Sequence, residues 1–287
     1  MSAILKLVQG SSEWQSHRAR HRNASETPAV LGVSPWVTPY QLWLQRTGRA
    51  TPEVNAAMTR GTELEPAARE AYEQLTGNVM QPLVLVDGEY SASLDGISLD
   101  GSLILEIKCP YQGRDSDTWK IAEGGKLAEF YCWQVEHQLM VSKAALAHVY
   151  IFDGRKGLLL EQRARPNDWR TIQEAWDAFM YLVADDRPPA LTDRDTVVRT
   201  DAEWTAAATA FIAAKEAAEG ATTRLEAAKA ALTRLAAHTS EKGAGVAVSR
   251  FWKAGSVDYR KIPELAGVDT DRYRGASREE VRVMLTN

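Results

Sequence analysis

The sequence predicts an α/β fold followed by a C-terminal helical and β extension, and three observations lead to this prediction. Segments with helical apolar spacing alternate with short apolar runs typical of strands between residues 60 and 183. An Asp-Gly pair at Asp100-Gly101 lies between two apolar runs, which is the strongest short-range signal for a β-hairpin. After Pro188-Pro189 the sequence becomes Ala-rich and carries a seven-residue repeat. We therefore expect a first domain at 1–195 and an extension at 196–287.

The first domain shows helices and strands in alternation. Apolar residues recur at helical spacing from Arg60 to Leu75, and Gly77 follows as a signal for the end of that helix. Apolar runs of strand length and two further helix-like segments continue the alternation. We expect strands at 82–86, 90–94, 145–152 and 157–162, and helices at 127–141 and 168–183.

The Asp-Gly pair sets a register that brings charged side chains together. A two-residue turn there predicts three facing pairs, Leu99 with Ser102, Ile97 with Ile104, and Asp95 with Glu106. Directly opposed residues hold their Cβ atoms about 4.5–5.5 Å apart, so the two acids of the last pair repel each other. Lys108 lies two residues after Glu106 and shares its face, whereas Ile107 points to the other face.

An acid, an opposed acid and a lysine suit metal-assisted hydrolysis of a phosphodiester in nucleic acid. The oxygens of Asp95 and Glu106 suit Mg²⁺, and Lys108 would activate the attacking water or stabilise the charge that forms on phosphorus. The alternative is a solvated hairpin with a cross-strand Glu–Lys face. The apolar run at 103–105 argues against it, because three charges on a buried strand are costly without a function. Asp100 is expected to form the turn and no more.

Three other side chains are candidates for the same site. Glu65 is expected at the start of the 60–75 helix. There it would add a carboxylate to the site, or it would only stabilise the helix through a favourable interaction with the helix dipole. Tyr131 and Gln134 lie three residues apart on one helix face. Gln134 could hold the attacking water and Tyr131 could contact phosphate, or the two could form a hydrogen-bonded pair at the edge of the core. His137 has no partner pattern around it and is expected to be structural.

Composition and charge limit the class of protein. At 287 residues and 45% hydrophobic, the chain can bury the core of one large domain or of two unequal ones. The formal net charge of −4 gives no overall basic character, yet the first 60 residues hold seven Lys or Arg against three Glu. This local balance is compatible with DNA binding. Arg18, Arg22 and Ser25 could bind a phosphate there, or the arginines could form a solvated basic surface.

Cysteine use and hydropathy exclude other classes. The sequence contains Cys109 and Cys132 and no CxxC motif, which excludes a four-cysteine zinc or iron–sulfur site and disfavours a disulfide framework. The N-terminal apolar stretch is too short for a signal peptide, and no run approaches the ~18 apolar residues of a membrane span. We therefore expect a soluble intracellular protein with no membrane partner.

The extension after residue 195 has its own pattern. Between Asp201 and Ala237 the repeat places Trp204, Phe211, Ala218, Leu225 and Leu232 in one seam, and Ala207, Ala214, Ala221, Ala228 and Leu235 in the other. This predicts a coiled-coil-like helix, or a helical hairpin broken at Gly220, packed on a helix of this chain or of a second copy. Beyond Gly243 we expect a small β appendage with a turn at 253–255 and a final strand, EEVRVML, at 279–285.

Seven short motifs follow one another between Trp14 and Val183. They are WQSHR at 14–18, NASE at 23–26, SPWVTPYQLW at 34–43, RGTELEP at 60–66, SLDG at 93–96, LEIKCP at 105–110 and YCWQVEHQLMV at 131–141. In sequence and order they resemble the lambda exonuclease and YqaJ-type viral recombinase group of the PD-(D/E)XK nucleases. The resemblance covers about two-thirds of the chain.

The resemblance implies a PD-(D/E)XK core, a central mixed sheet flanked by helices, and the residues of an active site. It implies Mg²⁺, for which Mn²⁺ can substitute, held by Asp95, Glu106, the Ile107 carbonyl and Glu65. It further implies that Lys108 acts in catalysis with support from Glu65 and Gln134. Candidate contacts to DNA phosphate are Arg18, Ser25 and Tyr131, of which Arg18 and Ser25 would hold a terminal 5′ phosphate.

The implied activity is Mg²⁺-dependent 5′-to-3′ digestion of one strand of linear double-stranded DNA, from DNA ends. The remaining single strand would pass to a single-strand annealing protein for phage-type homologous recombination. The resemblance also implies a homo-oligomer, such as the ring-shaped trimer of lambda exonuclease, and a place in the bacterial host cytoplasm with a phage or prophage origin.

Two other functions stay open. An endonuclease of the same fold, of the restriction or junction-resolving type, would share this chemistry, and the fold alone does not separate the two. A non-catalytic DNA-binding or assembly module would depend instead on the heptad segment. The complete set of Asp95, Glu106 and Lys108 argues against that second alternative.

Overall fold

A computed structural model describes residues 2–52, 55–256, 261–265, 267, 268, 273 and 275. The chain divides into two compact units, Met1–Thr196 and Val197–Asn287. The first unit is a mixed sheet flanked by helices, which confirms the predicted α/β class. Its strands are β1 (Ala3–Leu5), β2 (Arg22–Asn23), β3 (Gln81–Asp87), β4 (Tyr90–Ile97), β5 (Leu103–Lys108), β6 (Leu146–Phe152) and β7 (Gly157–Arg163). Its helices are α1 (Ser12–Arg20), α2 (Thr27–Val30), α3 (Pro39–Arg46), α4 (Ala56–Thr76), α5 (Asp117–Glu123), α6 (Glu129–Ser142) and α7 (Pro166–Ala184).

The central strand β4 shares one of its edges between two neighbours. The sheet runs in the order β1-β3-β4-β5-β6-β7, and β2 also pairs with β4. β2 lies parallel to the start of β4, with Asn23 opposite Ser91, whereas β5 lies antiparallel to its end, with Ile97 opposite Ile104. The described pairings therefore leave residues 92–95 of this edge between the two strands, and Asp95 lies in that gap.

A register shift lies at the same place on the other edge of β4. Leu94 faces Leu83 of β3, but Ile97 faces Gln81, so β4 uses three steps where β3 uses two. The extra residue is a β-bulge next to Asp95. Bulges bend a strand and redirect its side chains, and they are over-represented beside active sites.

Strand β5 is buried on both faces of the sheet. Ile104 belongs to an apolar core that includes Val135 of α6, whereas Leu105 belongs to a second core that includes Tyr72 of α4. Burial on both sides explains the nearly continuous apolar run of this strand. It also means that Glu106, which is 3% exposed, is a charged residue in the interior of the sheet.

The predicted two-residue turn between β4 and β5 is wrong, although the predicted pairing of Ile97 with Ile104 is right. The strands end at Ile97 and begin again at Leu103, so the outermost predicted pair does not form. Asp100 organises a longer loop, because its carboxylate accepts from the Ser98 hydroxyl at 2.6 Å and from the Ser102 N–H at 3.1 Å. These hydrogen bonds lower the pKa of Asp100 to about 2. Its role is that of a turn former, as expected.

Helix α4 begins earlier than the sequence predicts. Its N-cap is Asn55, whose side chain accepts from the Met58 N–H at 3.0 Å, and its C-cap is Gly77 with a positive φ of 74°. Glu65 therefore lies in the middle of the helix, and its predicted place at the helix start is wrong. A carboxylate so far from the N terminus gains little from the helix dipole, which acts within the first turn.

The second unit contains helix α8 (Ala202–Leu235) and a hairpin of β8 (Ser240–Gly243) and β9 (Val246–Ser249). α8 runs through Gly220 without a break, so the predicted hairpin alternative is wrong. None of the α8 side chains is buried in this unit, and Leu225 is 54% exposed. The appendage turns at residues 244–245, with β9 ending at Ser249, so the turn predicted at 253–255 is wrong. The predicted strand at 279–285 lies outside the described residues.

The two cysteines of the chain, Cys109 and Cys132, are both free. Among the helices that the structure describes, none has the length and apolar character needed to cross a membrane.

Gly96, directly after Asp95, provides a test of the packing around the bulge. A Cβ at this position would lie 2.6 Å from the Met80 Cβ, so Gly96→Ala should lower the free energy of unfolding by about 1–3 kcal/mol. Gly61→Ala is the matched control, because Gly61 lies in α4 with open space around it and should gain about 0.5–1 kcal/mol. Urea denaturation measures both. Equal stability of the two variants would contradict the packing described here.

Candidate active site

The buried carboxylate of Glu106 is the centre of a hydrogen-bonded group on β5 and α6. Its Oε1 accepts from Gln134 Nε2 at 2.7 Å, and its Oε2 accepts from Gln138 Nε2 at 2.5 Å. Lys108 Nζ lies 2.6 Å from Oε1. Because a buried polar or charged group is costly unless it is paired and hydrogen-bonded, these three partners account for how the Glu106 side chain is accommodated inside the sheet.

Lys108 lies on the same face as Glu106, as the strand alternation predicts. Its ammonium also donates to Gln134 Oε1 at 3.2 Å and lies 4.6 Å from the centre of the Tyr131 ring. Burial alone would lower the pKa of Lys108, but the charge of Glu106, its hydrogen bond to Lys108 and the charges of Tyr131 and Asp95 together outweigh burial and raise the pKa above its usual value. Lys108 is therefore held as an ammonium.

Asp95 lies in the gap on the edge of β4, where regular pairing with β5 has stopped. Its Oδ2 accepts from the Ile107 N–H at 2.7 Å, and its own backbone carbonyl accepts from Arg69 Nε at 2.8 Å. Asp95 is thus joined to β5 through its side chain, and the regular pair with Glu106 that the sequence predicts is not formed. Burial raises the pKa of Asp95 well above its ordinary value, and the charges of Glu106 and Glu65 add to the rise.

Glu65 of α4 belongs to the same electrostatic group. Its carboxylate pairs with Arg69, one turn further along the helix. Burial raises the pKa of Glu65, Arg69 opposes the rise, and the charge of Glu106 adds to it. The structure therefore brings together the acids predicted at three separate points of the sequence, Glu65, Asp95 and Glu106.

The chemistry of these donors fits a hard divalent cation such as Mg²⁺, which prefers carboxylate and carbonyl oxygens. As they stand, no three His, Cys, Asp or Glu side chains among the described residues form a group that could hold a metal ion. Glu65 is paired with Arg69, and Glu106 with Lys108 and two glutamines. A cation would stabilise the charge of Asp95, whose pKa is raised by burial and by repulsion from Glu106 and Glu65. The residues that suit it are Asp95 and Glu106, with the carbonyl of Ile107, the residue directly after Glu106.

The residues predicted to bind phosphate form a pair next to β4. Arg18 Nη1 donates to the Ser25 hydroxyl at 3.1 Å, and Nη2 pairs with Glu26 at 3.0 Å. The Arg18 guanidinium lies 4.8 Å from the Trp14 ring centre, and the Trp14 indole N–H donates to Ser93 on β4 at 2.9 Å. Arg18 and Ser25 are thus fixed to the strand that carries the acidic site.

Two other predicted residues have different surroundings. The Arg22 guanidinium donates to the Tyr90 hydroxyl at 2.7 Å and pairs with Asp177 at 2.6 Å, so it is engaged away from Ser25. His137 is fully buried, its Nδ1 is 2.6 Å from the Thr27 hydroxyl, and burial lowers its pKa to about 3. A neutral, enclosed histidine agrees with the structural role expected for it.

Sequence reasoning missed two members of the site, Gln138 and Arg69. Each lies four residues after a predicted residue on the same helix, Gln138 after Gln134 and Arg69 after Glu65. Residues four apart share a helix face, so this spacing was an available signal. It is weak alone, because polar residues at this spacing are common on solvated helices.

The first unit is thus a mixed sheet flanked by helices, with two acids and a lysine where two of its strands separate. A sequence model of the YqaJ-like viral recombinase domain matches residues 13–145. This part of the chain is therefore similar to that family, which confirms the resemblance noted from the motifs, all seven of which lie within these residues.

Two known proteins illustrate the similarity. The uncharacterized protein YqaJ of Bacillus subtilis (strain 168) is 28% identical over 136 residues, which are 45% of this chain and 41% of that protein. The alkaline exonuclease LHK-Exo from Laribacter hongkongensis has a TM-score of 0.52 and 24% identity. The match covers 61% of this chain and 94% of that one, and a structure of LHK-Exo in complex with dAMP gives the same values. The second comparison shows the shared fold.

The raised pKa of Asp95 predicts that this residue reduces the stability of the fold when no divalent cation is present. Between its ordinary pKa of 3.8 and its higher folded value, the folded state binds the extra proton, so stability falls as pH rises through this window. Asp95→Asn removes that cost and should raise the free energy of unfolding at pH 8 in EDTA by about 1 kcal/mol or more. Thermal denaturation at pH 8 and pH 3.5 measures it, and the gain should vanish at pH 3.5.

Asp100→Asn is the control for this experiment. Hydrogen bonds lower the pKa of Asp100, so its charge favours folding above the ordinary pKa, and its removal should lower stability at pH 8. A loss of stability in Asp95→Asn equal to that in Asp100→Asn would contradict the electrostatic cost assigned to Asp95.

Proposed function

We propose that this chain is a Mg²⁺-dependent deoxyribonuclease that digests one strand of linear double-stranded DNA from the 5′ end. Its product, single-stranded DNA, would serve homologous recombination through an annealing protein in a bacterial cytoplasm. The observation that carries the proposal is the group of Asp95, Glu106 and Lys108 with Gln134, gathered from two strands and one helix. Such a group, in which burial and neighbouring charges displace the pKa values of Asp95 and Lys108, is typical of a catalytic site.

The residues of this group would perform distinct tasks. A bound Mg²⁺ would supply charge to the phosphate and a more acidic water. Asp95 and Glu106 would hold that cation with the Ile107 carbonyl, and Glu65 would contribute a further carboxylate at the same site. Gln134 donates to Glu106 and accepts from Lys108, so it fixes both side chains relative to each other.

Lys108 would stabilise charge and would not act as a base. Its raised pKa keeps it protonated at neutral pH, so it has no lone pair with which to take a proton from water. An ammonium beside the phosphate instead favours the negative charge that develops as the phosphodiester is attacked. Of the two roles expected from the sequence, the second is therefore the better supported.

The DNA end would be held by residues beside this group. Arg18 and Ser25 are joined to each other and offer a guanidinium and an exposed hydroxyl, both of which are donors to a terminal 5′ phosphate. Tyr131, under the Lys108 ammonium, would contact a phosphate nearer to the cut.

The similarity of residues 13–145 to the YqaJ-like viral recombinase domain supports a nuclease in recombination, and the fold shared with an alkaline exonuclease agrees with it. The 5′-to-3′ direction, the metal and the annealing partner are parts of the proposal. Assembly into a homo-oligomer, such as a trimeric ring, is another part.

Digestion of linear duplex DNA with one 5′-phosphorylated end and one blocked end tests metal dependence and direction together. We expect hydrolysis from the phosphorylated end with Mg²⁺ and none in EDTA. Lys108→Ala and Glu106→Gln should each lower the rate by about 10²-fold or more, because each removes a charge that acts in the transition state. Asp100→Asn, an exposed change in the adjacent loop, should keep the wild-type rate.

Covalently closed circular duplex separates the proposal from its rival, an endonuclease of the same fold. An exonuclease leaves the circle intact, whereas nicking of the circle would favour the endonuclease. Full activity of Lys108→Ala or Glu106→Gln on the linear duplex would refute the assigned chemistry.

Gln138 should affect the affinity for metal more than the chemical step. It donates to the Glu106 oxygen that Gln134 and Lys108 leave free, so it orients a predicted metal ligand. Loss of such a supporting hydrogen bond typically weakens metal binding by about 10–100-fold. Gln138→Ala should therefore raise the Mg²⁺ concentration for half-maximal digestion by this factor, with most of the maximal rate retained. A loss of rate that saturating Mg²⁺ does not restore would contradict this role.

A further inference from the structure

Three aromatic rings form a cluster between α6 and the loop that precedes α3. The rings of Trp36 and Phe130 are 4.9 Å apart between centres and meet edge to face, at 78°. Tyr131 completes the cluster, with its ring centre 5.9 Å from Trp36 and 4.3 Å from Phe130. We call these three residues the aromatic platform. Tyr131 is buried at its base, whereas Trp36 is 62% exposed at its outer side.

The loop that carries Trp36 is held in place by hydrogen bonds. The buried Ser34 hydroxyl accepts from the N–H groups of Trp36 and Val37, at 3.3 and 3.2 Å. The Ser34 carbonyl accepts from Arg194 at 2.5 Å. The next residue but one after Trp36, Thr38, caps α3 through its side chain. A large apolar ring on a fixed loop is therefore exposed by the local structure and does not fold back onto the core.

The platform adjoins the proposed catalytic group. The Lys108 ammonium lies 4.6 Å from the Tyr131 ring centre, and Tyr131 in turn touches Trp36. The Trp36 ring centre thus lies within about 10 Å of the Lys108 ammonium. Stacked bases follow one another at steps of 3.4 Å, so this distance corresponds to about three bases. A strand whose phosphate lies at Lys108 would have its nearest bases within reach of Trp36.

We propose that Trp36 stacks on an unpaired nucleobase of the strand being digested, next to the phosphate held at Lys108. This inference rests on the proposed function and adds the position of the base. An exposed indole offers a π face that every base can match, and such stacking tolerates any sequence. The adjacent cation and the phosphate-binding donors favour a nucleic acid as the occupant over an apolar protein surface.

Binding of a duplex with two unpaired nucleotides at its 5′ end, compared with the same duplex carrying abasic sites there, tests the proposal. The measurement uses the full chain in EDTA, with fluorescence anisotropy of a label at the distant end. Trp36→Ala should weaken binding of the base-containing DNA by about 5- to 100-fold. It should have little effect on the abasic DNA, because the partner of the indole is already missing. The loss should also be the same at 50 and 200 mM salt, unlike that of a phosphate contact.

Two control variants keep this test specific. Trp36→Phe retains a stacking ring and should bind the base-containing DNA nearly as well as wild type. Trp252→Ala removes a fully exposed tryptophan of the second unit and should leave both affinities unchanged. Equal weakening of both DNAs by Trp36→Ala would overturn the proposal. So would unchanged affinities together with a change in the oligomeric mass of Trp36→Ala, which would make Trp36 part of a protein interface.

The outcome is separable from that of the proposed function, because the binding assay requires no hydrolysis. A chain that digests linear DNA but whose Trp36→Ala variant does not distinguish a base from an abasic site has the proposed function without the stacking site. A chain that binds bases through Trp36 but never hydrolyses DNA has the stacking site without the function.

Discussion

The burial of one carboxylate, Glu106, sets the conditions for the rest of the site. A lone ionised acid inside a sheet would be too costly to keep, so its oxygens need strong donors. The structure supplies two amides from one helix face and an ammonium from the same strand. Burial raises the pKa of Asp95 and the charge of Glu106 adds to that rise, while the same charge helps to raise the pKa of Lys108 against the effect of burial.

The divided edge of β4 gives these charges a place to meet. A fully paired strand would have its backbone groups bonded to a neighbouring strand, and side chains would have no access to them. In the gap between β2 and β5, the Asp95 carboxylate and the Arg69 guanidinium take the place of strand partners. The bulge on the other edge of β4 lies at the same residues. An irregular sheet at this position is therefore part of how the site is built.

The sequence was sufficient for the fold class and for much of the site, because the signals were local. Alternation along β5 correctly placed Lys108 beside Glu106, and the pairing of Ile97 with Ile104 followed from the Asp-Gly position. The predicted two-residue turn was wrong because the Asp100 side chain accepts hydrogen bonds from Ser98 and Ser102, which organise a longer loop. Gln138 and Arg69 were missed because their spacing of four residues from Gln134 and Glu65 is common on solvated helices, and their contacts with Glu106 and Asp95 span 32 and 26 residues.

The loop that carries Trp36 also limits where a truncated form of the first unit can end. Two of its hydrogen bonds involve residues at the very end of that unit, where Arg194 donates to the Ser34 carbonyl and Asp195 accepts from the Thr38 hydroxyl at 2.6 Å. A shortened protein that stops at Pro189 would keep every residue of the proposed catalytic group, yet it would lose both tethers. For expression of an isolated nuclease unit, the chain must therefore continue through Asp195 to preserve this loop.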